Sequence, residues 1–110
     1  MKPMPTTYLF TQAFCAAGMI LEKDGRILII KEYRPGLPDH GKWNFPGGFL
    51  DLGEDPSETV VRETREEGGY DSKAEAILGI YSMARNDLID GSAMPHRIGI
   101  YYIGTLVSDV

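Results

Sequence analysis

Three glutamates, Glu63, Glu66 and Glu67, crowd the end of the stretch FPGGFLDLGEDPSETVVRETREEGGY, residues 45–70. On a helix, positions i, i+3 and i+4 share one face, so this spacing predicts three carboxylates within a single turn. The whole stretch carries seven acidic side chains against two arginines, Arg62 and Arg65. Like charges this close destabilise a helix by roughly a few tenths of a kcal/mol per exposed pair, and by more when partly buried. Two arrangements would offset the repulsion. Arg62 and Arg65 can form ordinary ion pairs on a solvated face, or a hard divalent cation can draw the carboxylates together. Mg²⁺ takes oxygen ligands, keeps several waters and binds through carboxylates plus substrate phosphates. Spacing alone leaves the two arrangements open.

The elements that must position these residues are well marked. Asp55 is a helix cap, Pro56 suits the first turn, and Glu58 stands three residues after the cap, as a capping box requires. Gly68-Gly69 ends the helix. Between Asp55 and Gly68 the only apolar residues are Val60 and Val61, a narrower stripe than a helix held by packing alone normally shows. Ahead of the helix, two apolar runs, Phe14 to Leu21 and Arg26 to Tyr33, flank Asp24-Gly25, a strong hairpin signal. A loop rich in proline and glycine follows, then the short piece WNFP. Behind the helix, AEAILGIYSMAR and RIGIYYIGTLV read as strands separated by a polar loop from Asn86 to His96. The sum is a mixed sheet with one confident helix, hence an α+β fold.

Composition fits one small globular domain of 110 residues, with 43% hydrophobic and 25% charged side chains. The net charge of −5 argues against gripping a nucleic-acid polymer by bulk electrostatics, though metal ions can reverse the local field for a small phosphorylated molecule. Cys15 is the single cysteine; lying among alanines, it reads as a small apolar strand residue rather than a nucleophile. Lys2 and the run after it are too diluted by Thr7, Thr11 and Gln12 for a secretion signal. No stretch approaches the roughly 18 apolar residues of a spanning helix. The expectation is a cytoplasmic protein with no membrane partner.

One wider pattern separates the readings of the helix. Gly48, Glu54, Arg62, Glu63, Glu66, Glu67 and Gly69, running on to Tyr70, occupy every fixed position of G-x5-E-x7-R-E-U-x-E-E-x-G-U, where U is usually apolar. Chance agreement at seven positions is on the order of 1 in 10⁸ per start point. The sequence therefore resembles the Nudix hydrolase family, and WNFPGG is similar to that family's lead-in to the motif. Thr64, where an aliphatic residue is commoner, is the one departure. The resemblance covers about Ala13 to Leu106.

The resemblance implies an α/β/α sandwich and metal-dependent cleavage of a diphosphate linkage in a nucleoside diphosphate joined to another moiety. It implies that Glu63 and Glu67 are direct Mg²⁺ ligands, with Mn²⁺ as a substitute. Glu66 would be a third ligand or the water-activating base, and the Gly48 carbonyl would join the coordination. Arg62 would hold the glutamates, and Glu54 would tie the loop to the helix. Arg34 would meet a phosphate. Trp43 would stack on a base, although a tryptophan before a buried strand is more often core. His40 and His96, both read as loop residues, have no carboxylate partner at motif spacing and are expected at the surface.

A nucleoside triphosphate or similar small nucleotide is the preferred substrate, because the region after the motif, MARNDLID, lacks the proline that ADP-ribose-directed members tend to carry. Nucleotide sugars, ADP-ribose and dinucleoside polyphosphates stand behind it. The alternative from another class is a non-catalytic Nudix-like nucleotide-binding or regulatory module, but such modules usually lose helix glutamates. Isopentenyl diphosphate isomerase shares the fold but needs a catalytic cysteine that Cys15 does not obviously supply. The family's second main helix has no counterpart in Val107 to Val110, so this reading expects a longer gene product, of which residues 1–110 are one domain, or a homodimer.

Overall fold

The structure is a computed structural model describing residues 14–36, 40–84 and 96–109. In β1 (Phe14–Lys23), Ala17, Met19 and Leu21 alternate along the chain and are all buried, as one covered face of a strand requires. Asp24 and Gly25 then turn the chain with positive φ, 53° and 76°, the backbone an aspartate-glycine hairpin turn favours. β2 (Arg26–Ile27) returns antiparallel to β1.

The single strand expected from Arg26 to Tyr33 is instead two short pieces. Leu28 still donates its N–H to the Leu21 carbonyl at 2.9 Å. Its side chain then packs against the end of the helix, where a Cβ on Gly68 would lie 2.7 Å from Leu28 Cδ2. Beyond it the chain changes partner, and β3 (Ile30–Lys31) pairs with β4 (Trp43–Asn44) in a separate two-stranded sheet.

β5 (Gly47–Phe49) runs antiparallel beside β1. β6 (Tyr70–Ala84) and β7 (His96–Asp109) are long and antiparallel to each other, and β7 lies parallel to β1. The order is β2-β1-β7-β6 with β5 also on β1, the mixed sheet of the predicted α+β class. His96 begins β7 rather than sitting in a loop; the rest of the expected polar loop, 86–95, lies outside the described residues.

α1 (Pro56–Glu63) carries the predicted capping box. Asp55 Oδ2 accepts from the Ser57 N–H at 3.0 Å, and Glu58 Oε1 accepts from the Asp55 N–H at 3.0 Å. The α-helix does not run on to Gly68; its last stretch is a π turn, Thr64–Gly68. Thr64 is fully buried, and its hydroxyl donates to the Val60 carbonyl at 2.6 Å. That bond satisfies a polar group inside the fold and competes with the regular ladder at the point where it widens. Gly69, at φ 75°, closes the helix in the left-handed region.

One face of the sheet packs against α1. Val60 is fully buried there with Met19 and Leu21, and Leu50, Val61 and Tyr102 pack around them. Elsewhere Ile80, Leu78 and Ile103 are 64%, 55% and 43% exposed. No helix among the described residues is long and apolar enough to cross a membrane.

The capping box predicts the cost of losing it. Asp55→Ala removes the acceptor for the helix's first N–H groups and should cost about 1 kcal/mol. A fall of about 4 °C or more in a circular-dichroism melt is the expected result; an unchanged melt would mean that the cap contributes nothing.

Candidate functional site

The guanidinium of Arg62 holds the site together. Its Nε and Nη2 donate to the two oxygens of Glu54 at 2.8 and 3.0 Å. Its Nη1 donates to Glu63 at 2.8 Å and to Glu66 at 3.2 Å, and Asp51 lies 3.6 Å from Nη2. The second arginine does not share this task. Arg65 turns away to pair with Asp71, so of the two arginines that could compensate the glutamates only Arg62 does.

Glu54 ties the loop to the helix through more than Arg62. It also accepts from the Thr59 hydroxyl at 2.6 Å and from the Asp51 N–H at 3.1 Å. The Arg62 hydrogen bonds, then those from Thr59 and Asp51, hold its carboxyl down at about 2. The same carboxylates raise Arg62 still further above its already high range.

Glu67 is in the opposite position. Neither arginine pairs with it; its Oε1 accepts from the Gly47 N–H at 2.9 Å. Although the residue as a whole stays exposed, partial burial of the carboxyl pushes it up to about 7. Glu63 and Glu32 beside it act in the same direction, against the Gly47 N–H, which lowers it. Glu63 reaches the same strand, since a Cβ on Gly48 would lie 3.1 Å from Glu63 Oε1. Gly48 thus lets the Glu63 carboxylate lie close against β5, where a side chain would crowd it, while Glu67 reaches the same strand through the Gly47 N–H.

Of the three helix glutamates, Glu63 and Glu67 converge and Glu66 does not. A turn closed by i→i+5 bonds takes up more residues than the 3.6 of an α-helix. The i+4 position stays near the starting face, and i+3 falls short of it. Glu66 accordingly leans to Arg62 with its side chain 57% exposed. Among the described residues no three His, Cys, Asp or Glu side chains already stand as a metal cluster; of the three carboxylates expected on one face, two stand together. Glu32 is the neighbour that sequence reasoning missed. It lies just past β3, outside any strand, and no spacing rule links it to the helix.

Arg34 does lie at this site, with its Nε 3.5 Å from Glu32. It lines a cleft of about 100 Å³ together with Glu32, Gly47, Gly48, Tyr81 and Tyr101. Trp43 does not line that cleft. It is 63% exposed, with Lys31 Nζ 5.8 Å from its ring centroid, so the reading of Trp43 as core is corrected. The cause is β4, a two-residue strand of the small separate sheet, which buries neither of its residues. His40 is exposed and accepts from the Arg34 N–H at 2.9 Å, a surface role as expected. Cys15 is partly buried and free.

These oxygen donors stand at a helix end against a glycine strand, with Glu54, Glu63 and Glu66 held by one arginine and Glu67 by a backbone N–H. A family model described as NUDIX domain matches residues 11–109, and the chain belongs to the Nudix family. It is 42% identical over 79 residues to an ADP-ribose pyrophosphatase of Methanocaldococcus jannaschii, covering 72% of this chain and 46% of that protein. It is 37% identical over 73 residues to a CTP pyrophosphohydrolase of Escherichia coli, covering 66% of this chain and 50% of that protein. A solved NUDIX hydrolase from Nitrosomonas europaea shares the fold with a TM-score of 0.75 at 25% identity, over 90% of this chain and 62% of that one. The chain spans about half the length of the two curated relatives.

Glu54 sets a pH dependence. Its folded carboxyl, at about 2, lies below the ordinary 4.5, so its contribution is complete above pH 4.5 and is lost as pH falls toward 2. Urea denaturation of Glu54→Gln should show lower stability near neutrality and a smaller loss through that window than the unaltered protein. Parallel curves would mean that Glu54 titrates normally.

Proposed function

We propose that this chain hydrolyses a diphosphate linkage in a nucleotide substrate with the help of Mg²⁺. The observation that carries the reading is the convergence of Glu63 and Glu67 on Gly47-Gly48, with the helix arginines, Arg62 and Arg65, both engaged away from Glu67. The donor set fits the ion. Hard oxygens, few in number and crowded by like charge, suit a cation that completes its shell with waters and substrate phosphates. Glu63 and Glu67 would hold it, with the Gly48 carbonyl beside them. When bound, the ion would neutralise phosphate charge and lower the pKa of a water.

The chain's own residues do the rest by positioning and charge, as phosphoryl chemistry requires. Water attacks one phosphorus, the bridging P–O bond breaks, and two phosphate-bearing products leave. Arg62 keeps Glu63 aimed, and Glu54 keeps Arg62 aimed. Arg34 would fork onto a substrate phosphate, exchanging its contact with Glu32. Glu66, exposed and outside the pair, would take the water's proton or serve as a third oxygen donor.

A nucleoside triphosphate or similar small nucleotide is the substrate this reading prefers, and the CTP pyrophosphohydrolase relative supports it. ADP-ribose is the second reading, favoured by the identity to the archaeal ADP-ribose pyrophosphatase. A panel of CTP, other nucleoside triphosphates, ADP-ribose and a nucleotide sugar separates them.

Glu67→Gln and Glu63→Gln each remove a ligand charge without changing volume, and each should reduce turnover by roughly two orders of magnitude or more. Near-normal turnover at saturating Mg²⁺ would take that glutamate out of the metal site. Glu66→Gln distinguishes its two roles. Loss of a base lowers kcat at an unchanged Mg²⁺ requirement, whereas loss of a ligand raises the Mg²⁺ needed for half activity.

A further inference from the structure

The far end of the cleft from the glutamates is aromatic. Tyr81 on β6 and Tyr101 on β7 stack with ring centroids 5.3 Å apart and planes 18° apart, and their hydroxyls share a hydrogen bond of 2.9 Å. Phe45 stands edge-on to Tyr101 at 5.9 Å and 77°. Both tyrosine rings lie against strand backbone because glycines face them. Tyr101 is in register with Gly18 on β1 and Gly79 on β6, and Tyr81 with Gly99 on β7. A Cβ on Gly18 would come within 2.7 Å of the Tyr101 ring, and one on Gly99 within 2.9 Å of the Tyr81 ring.

Glu32, Arg34 and the Gly47-Gly48 strand lie along the same cleft, and Arg97 lines it too. One cleft therefore brings together the Gly47-Gly48 strand against which Glu63 and Glu67 lie, guanidinium groups for phosphates, and a flat π surface. A molecule matching that order has a diphosphate at one end and a planar heteroaromatic ring at the other.

We propose that the Tyr81–Tyr101 pair is the platform on which the base of the nucleotide stacks. The proposal rests on the reading of the site as a nucleotide hydrolase and names the part of the substrate that the glutamates do not touch. Tyrosines laid over glycines also shield strand backbone, a purely structural use. The two uses differ in what they recognise. Stacking on an aromatic ring tolerates any base and contributes roughly 1–3 kcal/mol per base, whereas shielding is indifferent to the ligand.

The test is equilibrium binding by calorimetry with two probes, AMP and ribose 5-phosphate, which share sugar and phosphate and differ in the base. Tyr81→Leu, which keeps apolar cover and removes the π face, should weaken AMP by about 5- to 100-fold. It should leave ribose 5-phosphate within about twofold. Tyr81→Phe should bind AMP as the unaltered protein does. A melt of each variant shows whether the fold is kept; if Tyr81→Leu unfolds, Tyr81→His keeps a ring, and the comparison moves to Tyr101→Leu. Equal weakening of both probes, unchanged AMP binding, or no AMP binding by the unaltered protein overturns the platform. Cleavage of the nucleotide panel is read separately, so a protein that hydrolyses diphosphates without tyrosine-dependent AMP binding sinks this inference and spares the function.

Discussion

Everything at the site hangs on how one guanidinium divides itself among carboxylates. Arg62 contacts Glu54, Glu63, Glu66 and Asp51. Its side chain is 28% exposed, so these hydrogen bonds are less screened than those of a surface pair. The division is unequal by geometry. Glu54 takes two of the five N–H donors in a fork, which locks the loop 51–54 to the helix. Glu63 takes one and is thereby aimed at Gly48. Glu67 receives nothing from that arginine and is left beside Glu63 at the glycine strand. The fold thus carries one compensated cluster and, one turn further on, a carboxylate that Arg62 does not compensate.

Glycine plays the same part at both ends of the cleft. Gly48 admits the Glu63 carboxylate to the backbone of β5, while Gly18 and Gly99 admit tyrosine rings to β1 and β7. A Cβ on Gly47 would meet the Ala17 carbonyl at 2.2 Å, so even the strand pairing at this point requires its absence. The sheet gives up side-chain packing here to let functional groups lie against it. It recovers packing on the other face, where Met19 fills the space above Gly104 and Val60 closes the core.

Local signals were legible because they depend on neighbours in the chain. The Asp24-Gly25 turn, the Asp55–Glu58 capping box and the Gly68-Gly69 stop all formed as their residue types dictate. The motif from Gly48 to Gly69 named the residues that gather around Arg62. What stayed hidden depends on partners distant in sequence. Leu28 breaks its strand because it packs against Gly68. Arg65 leaves the glutamates because Asp71 is within its reach. Glu66 leaves the carboxylate face because a buried Thr64 accompanies a wider turn, so a departure that concerns packing alters which side chains meet. Trp43 is exposed because its strand is two residues long. Glu32 joins the site from the segment just after β3, which no spacing rule connects to the helix.

Like charge and partial burial set Glu67 against Glu63, a repulsion that a bound divalent cation would relieve. Thermal melting in EDTA and in millimolar Mg²⁺, for the unaltered protein and for Glu67→Gln, tests it directly. A glutamine at position 67 can still accept from Gly47 and can donate to Glu63, replacing repulsion with a hydrogen bond. Mg²⁺ should raise the melting temperature of the unaltered protein by binding only the native state. Glu67→Gln should melt at least as high as the unaltered protein in EDTA and gain little from Mg²⁺. An unaltered protein indifferent to Mg²⁺, with Glu67→Gln melting lower in EDTA, would contradict it.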